Sequence, residues 1–243
     1  MSEKFLIFDI WGDYAHFKKY YTTSSPLTFS VPPRTAIIGL ISAIIGKGKK
    51  EYLSLMTKRN AEIAIRIINP VKKVRMTHNL INTKGGFWIP VKRGLHEPRT
   101  QIRFEYLKDP KFRVYFRHSD TNIYKLLKMN LKNHKSVYTP CLGISELIAD
   151  FDFIAEVSVV GSSDDKDFIN IHTAVPLGPD IFKEIDLLQP GRKYFKERIP
   201  VEMLPGRIVT EYREILYEVD GNPIKVKVKS ALVLSNSDVI IPL

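Results

Sequence analysis

Between Pro32-Pro33 and Gly46 the chain carries a segment, residues 34–45, that reads RTAIIGLISAII. The two prolines fix the backbone at its start and glycines at 46 and 48 break it, so a helix is predicted over about 34–45. A helix apolar on all sides cannot rest on a surface and has to be buried against another layer. Gly39 and Ala43, four residues apart, predict a small-residue face by which it lies close to a sheet. The run also falls well short of the roughly 20 apolar residues that cross a bilayer, so no integral membrane protein is expected.

Strands to cover that helix are legible on both sides of it. Residues 4–11 (KFLIFDIW) form a short apolar run ending at Gly12, and residues 61–68 (AEIAIRII) alternate and are rich in β-branched side chains; both read as strands. A long loop, 12–33, separates the first strand from the helix, and loops of that length are often functional. A second short helix is expected over 49–56. Residues 71–99 show neither period and read as an insertion. Residues 101–107 and 111–118 flank Lys108-Asp109-Pro110 and read as a hairpin, apolar on one face and mainly basic on the other. Asp120 is placed to cap a helix over 121–132, with Ile123, Leu126, Leu127 and Leu131 on its buried stripe. Residues 151–160 supply a closing strand. The order strand, helix, strand, strand, helix, strand predicts an α+β, ferredoxin-like (RRM-like) palm over 1–167. Residues 168–243 form a β-rich C-terminal extension, with strands near 169–175 and 239–241 and a hairpin around Asp220-Gly221-Asn222.

Charge gives the first indication of a partner. With 37 Lys and Arg against 26 Asp and Glu the net charge is +11, which favours a polyanion. From Arg66 to Arg117 there are thirteen basic and three acidic residues, so ten of the eleven excess charges lie in this stretch. Phe87, Trp88, Phe104, Tyr106, Phe112, Tyr115 and Phe116 are interleaved with them, offering stacking surfaces beside phosphate-binding charge. That mixture favours single-stranded nucleic acid over a membrane. The amino terminus runs directly into Phe5-Leu6-Ile7-Phe8 without a signal core, so a cytoplasmic location is expected. The lone Cys141 cannot form an intramolecular disulfide.

Other chemistries lack their usual anchors. There is no phosphate-gripping Gly-Lys-Ser/Thr loop, no dinucleotide fingerprint and no His-Glu-x-x-His helix, so no cofactor and no metal is expected. The Asp164-Asp165-Lys166-Asp167 cluster reads as a solvated loop. Lys84-Gly85-Gly86-Phe87-Trp88 only superficially echoes an RNA-recognition-motif strand. His16, His78, His96 and His118 lie near basic or aromatic residues, and His16 and His78 are the better candidates for acid-base chemistry on RNA. None has an orienting carboxylate evident in the sequence.

The segment from Pro32-Pro33-Arg34-Thr35 through the apolar helix to Gly46 closely resembles the CRISPR-associated family numbered five, of the repeat-associated RNA-binding (RAMP) superfamily. Trp11-Gly12-Asp13-Tyr14-Ala15, Leu142-Gly143 and Pro200-Val201-Glu202-Met203-Leu204-Pro205 also look like this family, particularly its type I-B branch. The resemblance implies a non-catalytic subunit of a type I surveillance complex (Cascade) that caps the 5′ handle of the guide RNA (crRNA). It implies a ferredoxin-like palm with an inserted β-hairpin thumb at 71–99, neighbouring backbone and large subunits, and target DNA reached through the complex. Carried onto this chain, the RNA-binding residues would be Tyr14, His16, Lys18, Lys19, Tyr20, Tyr21, Arg34 and Thr35. From the thumb and its flank would come Lys72, Lys73, Arg75, His78, Lys84, Phe87, Trp88, Lys92, Arg93, Arg99 and Arg103. A helix amino terminus beside Arg34 would serve as a phosphate seat. In the type I-C branch the family member itself cleaves precursor RNA with Tyr, Lys and His; Tyr21, Lys73 and His78 supply those residue types, so a metal-independent endoribonuclease is the alternative.

Overall fold

The computed structural model describes residues 4–49, 51–82, 99–163, 167–186 and 189–243. In chain order its elements are β1 (Lys4–Trp11), β2 (Tyr14–Ala15), α1 (Arg34–Ile45), α2 (Tyr52–Leu55), β3 (Ala61–Ile67), β4 (Lys73–Ile81), β5 (Arg99–Lys108), β6 (Lys111–His118) and α3 (Thr121–Lys132). There follow β7 (Asp150–Ser163), β8 (Ile169–Ile171), β9 (Val175–Leu177), β10 (Phe182–Ile185), β11 (Tyr194–Leu204), β12 (Ile208–Glu218), β13 (Ile224–Val228), β14 (Ala231–Leu234) and β15 (Val239–Ile240). Among the described residues no helix is long and apolar enough to cross a membrane.

The main sheet has the order β15-β14-β7-β1-β6-β3, and its pairings are antiparallel. Taken with α1 and α3, the four adjacent strands β7, β1, β6 and β3 reproduce the split arrangement that the element order predicts. β1 explains why its sequence is a continuous apolar run rather than an alternation. Leu6, Phe8 and Ile10 belong to the large core that includes residues of α1 and α3, while Phe5 and Ile7 face a second cluster closed by Leu234 of β14 and Ile240 of β15. A strand buried on both faces has no polar side to show. Asp9 is the exception: it is buried, and Arg113 holds it at 2.8 Å. The free edge of β3 is covered by backbone, with Ala174 N donating to Ile65 O at 2.8 Å and Leu243 N to Ile63 O at 2.9 Å. That removes an exposed ladder open to unwanted pairing.

The helices follow their end signals. α1 starts after Pro33 and ends at Gly46 in the left-handed conformation. α3 is capped by Asp120, whose carboxylate accepts from Asn122 N at 2.7 Å. Its buried residues are Ile123, Tyr124, Leu127, Asn130 and Leu131, with Leu126 only partly covered. The second helix is shorter than expected, Tyr52–Leu55.

Three local expectations are corrected. Residues 101–107 and 111–118 are not hairpin partners: β5 has β4 on one edge and β2 on the other, so it offers no ladder to β6. The chain instead swings from one sheet to the next through Asp109, which takes a positive φ of 50°. The insertion contains β4, which pairs residue for residue with β5 as an inserted hairpin would, but the bounds differ. Its described strands run 73–81 and 99–108, beyond the expected 71–99. In the tail, Asp220-Gly221-Asn222 does not close a hairpin, because β12 pairs with β11 and β9 while β13 pairs with β10 and β8. The Glu218 carboxylate holds this reversal, accepting from Asp220 N at 3.1 Å and Asn222 N at 2.8 Å. Gly221 has φ 79°, and an added Cβ would run into the carbonyl of Ile67, so this turn lets the extension back directly onto β3. The hairpin that does form in the tail is β11–β12.

Candidate nucleic-acid interface

The loop between β2 and α1 is folded back on itself into a ridge. Lys18 and Thr28 form an isolated antiparallel bridge, Lys19 N donates to Leu27 O at 2.9 Å, and Phe29 N donates to Phe17 O at 2.9 Å. The base is anchored by buried Phe17 and Phe29. On its flank, His16 N donates to Leu142 O at 3.0 Å. Gly143, with φ 102°, lies so close that a Cβ there would collide with the carbonyl of His16; the Leu142-Gly143 pair is thus a backbone clamp on the ridge. At the tip Tyr20 and Tyr21 are 50% and 59% exposed and meet edge to face at 5.1 Å. Rings held in place and open to solvent are stacking surfaces for bases.

Successive ridge residues serve opposite sides. Lys18 and Tyr20 line a groove of about 710 Å³ whose floor is the outer face of α1. Thr35, Ala36, Gly39 and Ala43 form that floor, with Lys47, Lys49, Tyr52, Tyr138 and Arg207 around it, and no carboxylate among the described residues lines it. The small-residue face of α1 therefore does not press against the sheet, contrary to expectation. A Cβ on Gly39 would meet nothing within 4 Å. Lys19 and Tyr21 instead line a pocket of about 610 Å³ together with Lys73 of β4 and Lys193, Phe195 and Glu197 near the start of β11. Burial works against the Lys19 ammonium, but its hydrogen bond and charge pairing with Glu197, at 2.8 Å, more than compensate, and its pKa stands above the ordinary lysine value.

The β2-β5-β4 sheet separates its chemistry by face. The pairs Lys73↔Leu107, Arg75↔Glu105 and Thr77↔Arg103 share one side, and Val74↔Tyr106, Met76↔Phe104 and His78↔Ile102 the other. Lys72, Lys73, Arg75, Arg99 and Arg103 are exposed, as an RNA-facing role requires. Lys73 and Arg75 approach Glu105 at 3.4 and 3.7 Å. On the opposite side His78 Nε2 shares a hydrogen bond of 2.7 Å with the Tyr106 hydroxyl, and Tyr14 meets Tyr106 edge to face at 6.2 Å. Tyr21 and Lys73 thus share a pocket, while His78 sits across the sheet from Lys73, and the three are not assembled. Lys84, Phe87, Trp88, Lys92 and Arg93 lie outside the described residues, as do His96 and Asp164 to Lys166.

Two expectations for individual residues are overturned. Arg34 is fully buried: its guanidinium donates to the carbonyls of Val201 at 3.0 Å and of Met56 and Ala61 at 2.8 Å, with Glu202 at 4.0 Å. Burial lowers its pKa to about 10, against the pull of Glu202 and Glu211, so it stays charged at neutral pH and ties α1, α2, β3 and β11 together. It cannot be the phosphate seat. His16 is also buried, and its Nδ1 lies 2.7 Å from the Glu105 carbonyl; Nε2 is buried and has no hydrogen-bond partner among the described residues. Burial lowers its pKa below the ordinary histidine value, which makes it a neutral anchor of the ridge rather than a contact for RNA. Among the described residues no three His, Cys, Asp or Glu side chains converge as a metal cluster would.

The β11 contribution to the second pocket is absent from the expected set. Its signal was present as Lys193-Tyr194-Phe195-Lys196-Glu197-Arg198, which mixes cations and aromatics as the thumb segment does. The expected set ended before the tail.

The sequence matches the family described as CRISPR-associated protein (Cas_Cas5) over residues 5–184. No curated protein matches it. Among solved structures it is similar to a CRISPR protein from Archaeoglobus fulgidus, with 16% identity, a TM-score of 0.56 and coverage of 98% of this chain and 99% of that one. A chain of a CRISPR RNA-guided surveillance complex matches at 13% identity and a TM-score of 0.47, covering 96% of this chain and 92% of its own. The Archaeoglobus likeness shows a shared fold.

Proposed function

The chain belongs to the CRISPR-associated Cas5 family, and on that premise we propose that it is the non-catalytic crRNA-binding subunit of a type I surveillance complex. In this reading it holds the 5′ handle of the guide and caps the backbone filament in antiviral defence. It sits beside the backbone and large subunits and meets target DNA only through the complex. The observation that carries the reading is the ridge: Lys18 with Tyr20 on one side and Lys19 with Tyr21 on the other, each pair opening on a cation-lined groove. A single strand laid across it would meet stacking rings and phosphate-binding charge in alternation. The α1 groove, with no lining carboxylate among the described residues, would hold the strand on the Lys18 side.

The alternative is cleavage of precursor RNA through Tyr21, Lys73 and His78. The placement of His78 on the far face of the thumb sheet from Lys73 weighs against it, since general acid-base partners must converge on one phosphodiester. The ridge is tested by titrating repeat-derived single-stranded RNA against the wild-type chain, Tyr20→Ala and Tyr21→Ala, with exposed Met129→Ala as control. Each tyrosine variant should lose about 1–3 kcal/mol of affinity, with the control unchanged. Full affinity in both tyrosine variants would remove the RNA path from the ridge.

A further inference from the structure

The pocket on the Lys19–Tyr21 side has an organisation that a surface for phosphate alone does not need. Its wall joins three parts of the chain: Val71 N, at the root of the thumb, donates to Val219 O at 2.9 Å, and Val219 N donates to Lys193 O at 3.0 Å. Val71, Val219, Phe29 and Tyr217 give it an apolar lining. Above this, Phe195 is 53% exposed while stacked at 6.2 Å on buried Tyr217, so one large ring is fixed in position with much of its surface open. The carboxylates nearby are already engaged. Glu197 accepts from Lys19 at 2.8 Å and Ser30 N at 2.9 Å, and Glu105 faces both Lys73 and Arg75. Lys193 has no carboxylate partner among the described residues. Among the described residues five cations (Lys19, Lys73, Lys193, Lys196 and Arg198) thus line the pocket against one lining carboxylate, Glu197, leaving a surplus of positive charge over an apolar floor.

We propose that this pocket takes one nucleotide of the RNA strand that crosses the ridge, its base stacked on Phe195 and its phosphate on Lys193 and Lys73. The inference rests on the RNA-binding reading of the ridge and adds a discrete subsite to it. The volume of about 610 Å³ lies within the range of small-ligand sites. Lys19 and Tyr21 line both the ridge and the pocket, so a strand leaving the ridge on this side enters it without a gap. An acidic, aromatic-bearing segment of a neighbouring protein would share part of this chemistry; continuity with the ridge favours the nucleotide.

The test walks a single 5-iodouridine along a handle-length RNA, irradiates each complex and maps crosslinks by mass spectrometry. One position should crosslink to Phe195, and its neighbours to Tyr20 or Tyr21. Phe195→Ala, checked for an unchanged unfolding midpoint, should bind RNA about 5- to 150-fold more weakly. Lys193→Ala should flatten the slope of log affinity against log salt by about 0.7. Crosslinks at Tyr20 with none at Phe195 from any position overturn the pocket and leave the ridge standing. Crosslinks at neither, with no RNA bound, overturn both. Unchanged RNA affinity in Phe195→Ala with loss of assembly onto a partner subunit identifies a protein occupant and overturns the nucleotide.

Discussion

Three carbonyls converge on the Arg34 guanidinium in a site closed to water, so removing that side chain leaves buried acceptors unpaired and Glu202 without its cation. Arg34→Ala should cost about 3–5 kcal/mol in urea unfolding. Arg34→Lys should recover little of it, because a single ammonium cannot reproduce the planar fork. A midpoint unchanged in Arg34→Ala would refute the internal role. The Pro-x-Arg-Thr motif was visible in the sequence, but its direction was not: a charged residue at a helix start suits an anion and a buried tie equally well, and only the carbonyls of distant Val201, Met56 and Ala61 decide. His16 is a similar case and gives a pH dependence. Burial depresses the pKa values of both His16 and His172, so below about pH 6.5 the unfolded chain binds more protons than the folded one. Their contribution is fully present above that pH and is lost as pH falls toward their folded-state values. Thermal unfolding at pH 7.5 and 5.5 should show the loss, and His16→Asn, which keeps a side-chain donor for Glu105 O, should show less of it.

At the level of elements, α1 is a helix with an uncovered side. Ile37, Ile38, Leu40, Ile41, Ile44 and Ile45 are buried, while Thr35, Ala36, Gly39 and Ala43 are only partly covered and line the groove. The end signals at Pro33 and Gly46 were legible, as was the burial of most of the helix. Which side lay open was not, since small residues serve both close packing and an unfilled groove. Gly39 separates the two uses. With open space around its Cβ, Gly39→Ala should stabilise the fold by about 0.5–1 kcal/mol through helix propensity and leave RNA affinity nearly intact. Gly39→Leu should fill the groove and weaken RNA binding without destabilising the chain. Equal RNA affinity in all three proteins would show that the groove is not on the RNA path. Strand pairing was the less legible part. Alternation in residues 101–107 gave the faces of β5 correctly, with Phe104 and Tyr106 on one side and Arg103 and Glu105 on the other. It could not give the partner, because period fixes a face and says nothing about an edge.

At the scale of the whole molecule, the extension is part of the palm and of the candidate site together. β14 and β15 close the second face of the main sheet, the Gly221 turn backs onto β3, and β11 supplies Phe195 to the pocket. The βαββαβ order was readable because each unit is local in sequence. The closure by residues 168–243 was not, since it depends on contacts such as Arg34 with Val201 and Lys19 with Glu197, both separated by well over a hundred positions. The central claim is that this assembly holds RNA without cutting it. It is tested most directly by incubating the purified chain with end-labelled repeat RNA in EDTA, resolving bound and cleaved species from the same reaction. The expected result is a salt-sensitive complex in which the RNA remains intact. Site-specific cleavage that disappears in Tyr21→Phe, Lys73→Ala or His78→Ala, or an absence of any complex, would contradict it.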